Sequence, residues 1–293
     1  MCNLGNQMFQ YAAARLAAER LKCPFIISQG VFAWRDVVRG RQTMALFKTF
    51  PDLSAGLGAR CVNLSERYWP HFTARLERAL FANEFRPWSP AAAPREGLEG
   101  YDPGYLQLGK FTRLVGYFQS PLYLQGREET VRHWFRMSSQ ERADIDRRWV
   151  QTGIDPADAV AVHVRLGDYR REAPIGSASE EGGWILPRRY YQQALEVVGH
   201  DRPIALFSDE PDMAQAYLGR KVDYVSRTAD SRVDLRMMSS CARMIIANST
   251  YSWWAAWLNT NSAPLIVAPE FFLGRSVGTW YPRDIRVEGW QYV

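Results

Sequence analysis

Short apolar, β-branched runs alternate with amphipathic segments through the second half of the chain. Residues 159–165 (AVAVHVR), 203–207 (PIALF), 222–225 (VDYV), 244–247 (MIIA) and 264–268 (PLIVA) have the length and continuous apolar character of buried parallel strands. Between them, residues 188–198, 211–218, 232–241 and 251–258 carry apolar side chains on one face at helical spacing. Such alternation predicts an open, doubly wound α/β domain with right-handed crossovers. Ligands of that architecture bind in a crevice at the carboxyl ends of the strands.

The first half is less regular. Phe9, Ala12, Ala13, Leu16 and Ala17 form one stripe of a helix over 9–21, after which Cys23-Pro24 leads into a strand at 25–27. Residues 86–104 are rich in Pro and Gly and read as a surface loop. An apolar strand follows at 114–118, then helices at 122–135 and 139–150. Ser138 and Glu141 stand in capping-box spacing at the start of the second. Residues 151–158 (QTGIDPAD) read as a hinge, so the expected organisation is two α/β domains, 1–152 and 153–293, facing across a cleft.

With 47% hydrophobic and 23% charged residues in 293, the composition is globular and excludes disordered, collagenous and disulfide-scaffold classes. The net charge is +5, and the basic residues are 32 Arg against 4 Lys. An arginine excess suits bidentate pairing with phosphate oxygens, and it is also a compositional habit of whole genomes. No basic run is interleaved with aromatics, so no nucleic-acid partner is expected. The four cysteines are dispersed, without C-x-x-C or a nearby His pair, which indicates neither zinc nor a disulfide framework and fits a reducing cytoplasm. No apolar stretch reaches the roughly 18 residues of a membrane span. The expected protein is soluble, or peripheral at the inner face of a membrane.

Five segments carry candidate chemistry. Gly5-Asn6-Gln7 opens the first helix, where glycine permits close backbone approach and the two amides sit beside the positive helix end; an N-capping Asn after a turn Gly is the plainer reading. His163-Val164-Arg165-Leu166-Gly167-Asp168-Tyr169 ends the first strand of the second domain, and alternation puts His163 and Arg165 on one side of it. Arg165 would neutralise a phosphate gaining charge as it leaves. Asp168 would face the crevice or brace the arginine, and a purely structural Arg-Asp ion pair is the alternative. Ser208 and Asp209 end the next strand, where a carboxylate can accept from a ribose hydroxyl or a base, or can cap the helix near Pro211. Asn248, Ser249, Thr250 and Ser252 lead from the strand MIIA into an apolar helix, as an anion site or as simple capping. Trp253, Trp254 and Trp257 at helical spacing read as core. Gly116-Tyr117-Phe118-Gln119-Ser120 closes a strand of the first domain, and Gln119 would line the opposite wall. There is no G-x-x-x-x-G-K-[ST], G-x-G-x-x-G or G-x-S-x-G, and the one Asp-x-Asp string, Asp144-Ile145-Asp146, falls in a helix where i and i+2 do not share a face. The residues point to a metal-free, anion-binding crevice and to group transfer from a nucleotide diphosphate donor.

Taken together in their order along the chain, these segments resemble glycosyltransferase family 11, the α-1,2-fucosyltransferases of bacterial and animal glycan synthesis. LGNQMFQYAAARLAA resembles the family's N-terminal motif, GYFQSPLYL its mid-chain motif, HVRLGDY its donor-site motif, and FSDE and IIANSTYSWWAAWL its last two. The resemblance implies a GT-B fold of two Rossmann-like domains. It also implies inverting, cofactor- and metal-independent transfer of L-fucose from GDP-fucose to the 2-hydroxyl of a galactose-containing glycan. Arg165 would hold the donor diphosphate, with Asp168 a conceivable base or a brace. His163, Ser208, Asp209, Asn248, Ser249, Thr250 and Ser252 would surround the nucleotide and phosphates, while Gly5, Asn6, Gln7 and Gln119 would lie on the cleft or acceptor side. Two departures stand out: the family commonly has a second arginine where this chain has Leu166, and it has a strand before the Gly-Asn-Gln segment. That strand is expected to be missing from the first domain or encoded upstream. Other acceptor linkages, other GDP-sugars and a non-catalytic nucleotide-sugar-binding paralogue are the competing readings.

Overall fold

The computed structural model describes residues 4–25, 46, 49–50, 53, 83–87, 100–170, 184–273 and 282–293. The chain divides into two compact units, Met1–Trp134 and Phe135–Val293.

In the first unit, helix α1 (Leu4–Leu21) starts earlier than the 9–21 stripe indicates and takes Gly5-Asn6-Gln7 into its first turns. Ala12, Ala13, Ala17 and Ala18 lie buried with Leu4, Met8, Phe9 and Leu16, so most of the helix surface is covered until Glu19 and Arg20. Lys22, at φ 50°, ends it in a left-handed C-terminal turn, with Cys23 N donating to Ala18 O and Lys22 N to Glu19 O. Pro24 then prevents further helix. Strands β1 (Asn83–Phe85) and β2 (Thr112–Leu114) pair in parallel. Ala13 and Ala17 of α1 pack with Phe85, Leu114, Tyr105, Phe118 and Tyr123. Short 3₁₀ turns at Pro103–Gln107 and Pro121–Leu124 are each opened by a capping side chain, Asp102 and Ser120, and α2 (Glu128–Trp134) closes the unit. The strand expected at 114–118 is found instead at Thr112–Leu114; beyond it Gly116, at φ 158°, and Phe118, at φ 56°, carry the chain away from regular strand geometry. The helix expected over 122–135 is split by Gly126 at φ 75°. Most of the strand expected at 25–27, and most of the loop at 86–104, lie outside the described residues.

The second unit opens with α3 (Ser139–Thr152), whose capping box is formed: Glu141 N donates to Ser138 Oγ at 3.1 Å and Ser138 N to Glu141 Oε2 at 3.2 Å. Six parallel strands follow, β3 (Val160–Val164), β4 (Ile204–Ser208), β5 (Tyr224–Val225), β6 (Arg243–Ile245), β7 (Leu265–Ala268) and β8 (Gln291–Tyr292). They are ordered β5-β4-β3-β6-β7-β8. Helices α4 (Arg188–Val198), α5 (Pro211–Leu218), α6 (Ser231–Ser240) and α7 (Thr250–Trp257) form the crossovers. Val160, Val162 and Val164 of β3 pack with Tyr190, Ala194 and Leu195 of α4, which leaves Ala161 and His163 for the other face. Trp253, Trp254 and Trp257 are core residues, as their spacing suggests. Both units are therefore α/β with parallel strands.

The hinge expected at 151–158 falls inside the second unit. Helix α3 is held there by Trp149 Nε1, which donates to Ser240 Oγ at 2.7 Å, and by Glu141, which pairs with Arg232 and Arg236 of α6.

Candidate functional site

The chain runs outward from β3 through β4 and β5, then returns to the far side of β3 to make β6, β7 and β8. The sheet's order reverses between β3 and β6, and in open parallel sheets ligands bind outside the carboxyl ends of the strands at that point. Residues 165–169 leave β3 there and residues 246–250 leave β6. The topology thus brings together two segments that lie far apart in the sequence.

Arg165 is the centre of the first segment. Its side chain is 18% exposed, and its Nη2 donates to Asp168 Oδ1 at 2.6 Å while Nη1 pairs with Asp209 Oδ2 at 3.2 Å. The guanidinium carbon lies 5.5 Å from the centre of the Tyr169 ring. Asp209 reaches across because β4 pairs with β3 in register, Val164 opposite Ser208. Its other oxygen accepts the backbone N–H of Leu166 at 3.1 Å. Asp209 does not cap α5, whose N-cap is Glu210 without a side-chain bond. Ser208 Oγ instead accepts from Glu210 N at 3.1 Å and holds the turn. Leu166 is buried in the core shared with Val164.

His163 ends the buried face of β3. Burial, reinforced by the charge of Arg165, pushes its pKa down to about 3, so the imidazole is neutral, and its Nδ1 has no hydrogen-bond partner. Its ring centre lies 5.7 Å from that of Tyr251, the second residue of α7. Burial also holds the Tyr251 phenol well above its ordinary pKa.

The second segment is built as a helix entrance. Ser249 is the N-cap of α7, yet its hydroxyl makes no capping bond. Asn248 is oriented by its Nδ2, which donates to Trp184 O at 2.9 Å, and its buried Oδ1 is left unpartnered. Tyr169 OH donates to Asn248 O at 2.9 Å and ties the two segments together. Ser252 is placed differently from the rest: it is fully buried, and its hydroxyl donates to the carbonyls of Ala247 and Ser249. It braces the turn. Sequence reasoning gave Tyr169, Trp184 and Tyr251 no role, although Tyr169 and Tyr251 lie within the polar segments they support.

The remaining candidates form a separate cluster in the first unit. Gln119 Nε2 donates to Asn6 Oδ1 at 2.8 Å, and Gln10 Nε2 donates to Gly116 O at 2.9 Å. Gln119 is 5% exposed and its Oε1 lacks a partner. Gly5 is buried, and Gln7 Oε1 accepts from Leu46 N at 2.8 Å, a contact between distant parts of the sequence. Among the described residues, no group of three or more His, Cys, Asp or Glu side chains is placed to hold a metal.

A family model for Glycosyl transferase family 11 matches residues 102–292, about two thirds of the chain. The chain belongs to glycosyl transferase family 11. Along its length it is similar to the O-antigen biosynthesis glycosyltransferase WbnK of Escherichia coli, 27% identical over 292 residues and 93% of each chain. An α-1,2-colitosyltransferase of Escherichia coli is 26% identical over 58% of this chain and 56% of that protein. Of solved structures, the NodZ α-1,6-fucosyltransferase of Bradyrhizobium, soaked with GDP-fucose, matches 90% of each chain at 16% identity and a TM-score of 0.41. The α/β class rests on the strand order above and not on that likeness. The motif resemblance is thus borne out, and the protein is a glycosyltransferase. No helix among the described residues is long and apolar enough to cross a membrane.

Proposed function

We propose that this family 11 enzyme transfers L-fucose from GDP-fucose to the 2-hydroxyl of a galactose-containing glycan, with inversion and without a metal or other cofactor. The observation that carries the reading is the position of Arg165, held by two carboxylates at the end of β3, beside the switch point and the entrance to α7. As the bond from fucose to the β-phosphate breaks, negative charge collects on the departing diphosphate. An arginine and a helix N-terminus fixed in advance stabilise that charge more in the transition state than in the ground state. Ser249 and Thr250 would approach the phosphates, while neutral His163, Ser208 and Asn248 would offer uncharged polar contacts to the nucleoside. Asp168 either accepts the acceptor's proton or only orients Arg165, and its bond to Nη2 favours orientation. Asn6 and Gln119 would meet the sugar side. Action in the cytoplasm or at the inner face of the membrane, without a nucleic-acid partner, belongs to this reading.

The similarity to a colitosyltransferase favours a second donor. Colitose lacks one hydroxyl of fucose, so few contacts separate the two. The test is incubation with GDP-fucose, GDP-colitose and GDP-mannose against a panel of galactosides, with the new linkage located by NMR. Transfer from GDP-fucose to O2 is expected, undiminished by chelator, and Arg165→Ala should lower kcat/KM by about 10²–10³-fold. Absence of turnover with GDP-fucose, or strong dependence on added manganese, would overturn the corresponding part of the reading.

A further inference from the structure

We propose that Asp209 is a positioning residue that fixes Arg165, and that position 167 is glycine because a β-carbon there would evict the Asp209 carboxylate. This rests on Arg165 as the group that holds the donor diphosphate.

A carboxylate at the end of β4 invites a different reading, as an acceptor for a ribose or a base. Its geometry gives it a further task. Asp209 Oδ1 accepts from Leu166 N at 3.1 Å and Oδ2 pairs with Arg165 Nη1 at 3.2 Å, so each oxygen holds the segment leaving β3. Ser208 Oγ lies 3.5 Å from Oδ1 and adds a third, weaker contact. A β-carbon built on Gly167 would stand 2.3 Å from Oδ2, a distance that no carbon and oxygen tolerate without one of them moving. Gly167 is not in the left-handed region, so the glycine is required for space and not for its dihedral angles. The segment Arg165-Leu166-Gly167 thus wraps the carboxylate on three sides: guanidinium, backbone N–H and missing side chain.

The two carboxylates on Arg165 are not equivalent. Asp168 is on the same loop and 48% exposed, whereas Asp209 comes from the neighbouring strand and is 24% exposed. Of the five N–H groups on a guanidinium, the two acids engage one corner each, which leaves the others to meet phosphate oxygens. Asp168 can exchange with solvent or with an arriving diphosphate. Asp209, anchored through Leu166 N, sets where Arg165 stands in both states.

The test uses the full chain and the variants Gly167→Ala, Asp209→Ala, Asp209→Asn and the double variant Gly167→Ala/Asp209→Ala, with circular dichroism to establish folding. Guanidinium NMR on arginine-labelled protein, with the Arg165 signal assigned through Arg165→Lys, reports the clamp directly and needs no activity. Slow rotation of the Arg165 guanidinium in the unsubstituted protein and fast rotation in Gly167→Ala and Asp209→Ala are expected. Calorimetry with GDP and transfer from GDP-fucose report the consequence. Because misplacement by about 1 Å can cost about 100-fold, kcat/KM in Gly167→Ala should fall by that order. Asp209→Asn, which can still accept from Leu166 N, should recover part of it, and the double variant should be no worse than Asp209→Ala alone. Unchanged Arg165 dynamics in folded Gly167→Ala, or additive losses in the double variant, would overturn the proposal. If the unsubstituted chain neither binds GDP nor transfers fucose, the functional reading fails while the NMR comparison still decides the clamp.

Discussion

His163 shows how one side chain can be legible in type and hidden in state. Period-two alternation takes it off the face of Val160, Val162 and Val164, and those valines pack together without it. Its protonation state depends on burial, which no local pattern reports: desolvation, then the charge of Arg165, lowers its pKa from 6.5 to about 3. A base whose folded pKa is depressed binds its proton more readily in the unfolded chain. Between pH 6.5 and about 3 the unfolded state therefore takes up more protons, and stability falls as the pH is lowered through that window. His163→Gln should flatten this slope, even though loss of the ring against Tyr251 lowers stability at every pH. Urea unfolding at pH 7.5 and pH 5 measures it, and an unchanged difference between the two pH values would show that the histidine is not held neutral. The same limit hid the role of Asp209. Its partners, Leu166 N and Arg165, become neighbours only once β3 and β4 pair in register.

Helix α6 carries the opposite case. Asp234, in its first turn, is half-buried and has its pKa raised from 3.8 to about 6, with desolvation the largest cause; the Ser226 hydroxyl donates to it at 2.5 Å. A carboxyl with a raised folded pKa favours the folded state at low pH and loses that contribution as the pH rises through about 6. At pH 7.5 the group is ionised inside the protein, and its place near the positive end of α6 offsets only about 0.3–1 kcal/mol of the cost. Asp234→Asn keeps an acceptor for Ser226 and removes the charge. It should raise stability at pH 7.5 by about 1–2 kcal/mol and have little effect at pH 4. Denaturant melts at both pH values test this, and a destabilised variant at pH 7.5 would mean that the carboxylate is needed ionised. Element boundaries in this half were well marked, since 188–198 and 211–218 coincide with α4 and α5. In the first half the signal was weaker. Strands β1 and β2 are three residues each, too short for alternation to register, and Phe118 reverses the backbone where its apolar neighbours suggest continuation.

The division of the whole chain follows from polar anchoring that composition conceals. Residues 151–158 look like a linker because they hold Gly153 and Pro156, but the helix before them belongs to the unit after them. Arg236 is almost wholly buried, and the carboxylate that neutralises it is Glu141, which also closes the capping box of α3 and pairs with Arg232. Removing α3 would take that carboxylate from the guanidinium and expose the faces covering Ile145 and Trp149. Removing one partner of a buried ion pair costs about 3–5 kcal/mol, set against a net domain stability of about 5–15. A fragment comprising residues 135–293 should therefore unfold cooperatively on heating, whereas one comprising 153–293, cut at the apparent hinge, should not. Calorimetry of the two fragments decides the matter. Cooperative unfolding of the shorter one would mean that α3 is an appendage and that the sheet, with its reversal of order between β3 and β6, is a self-sufficient core.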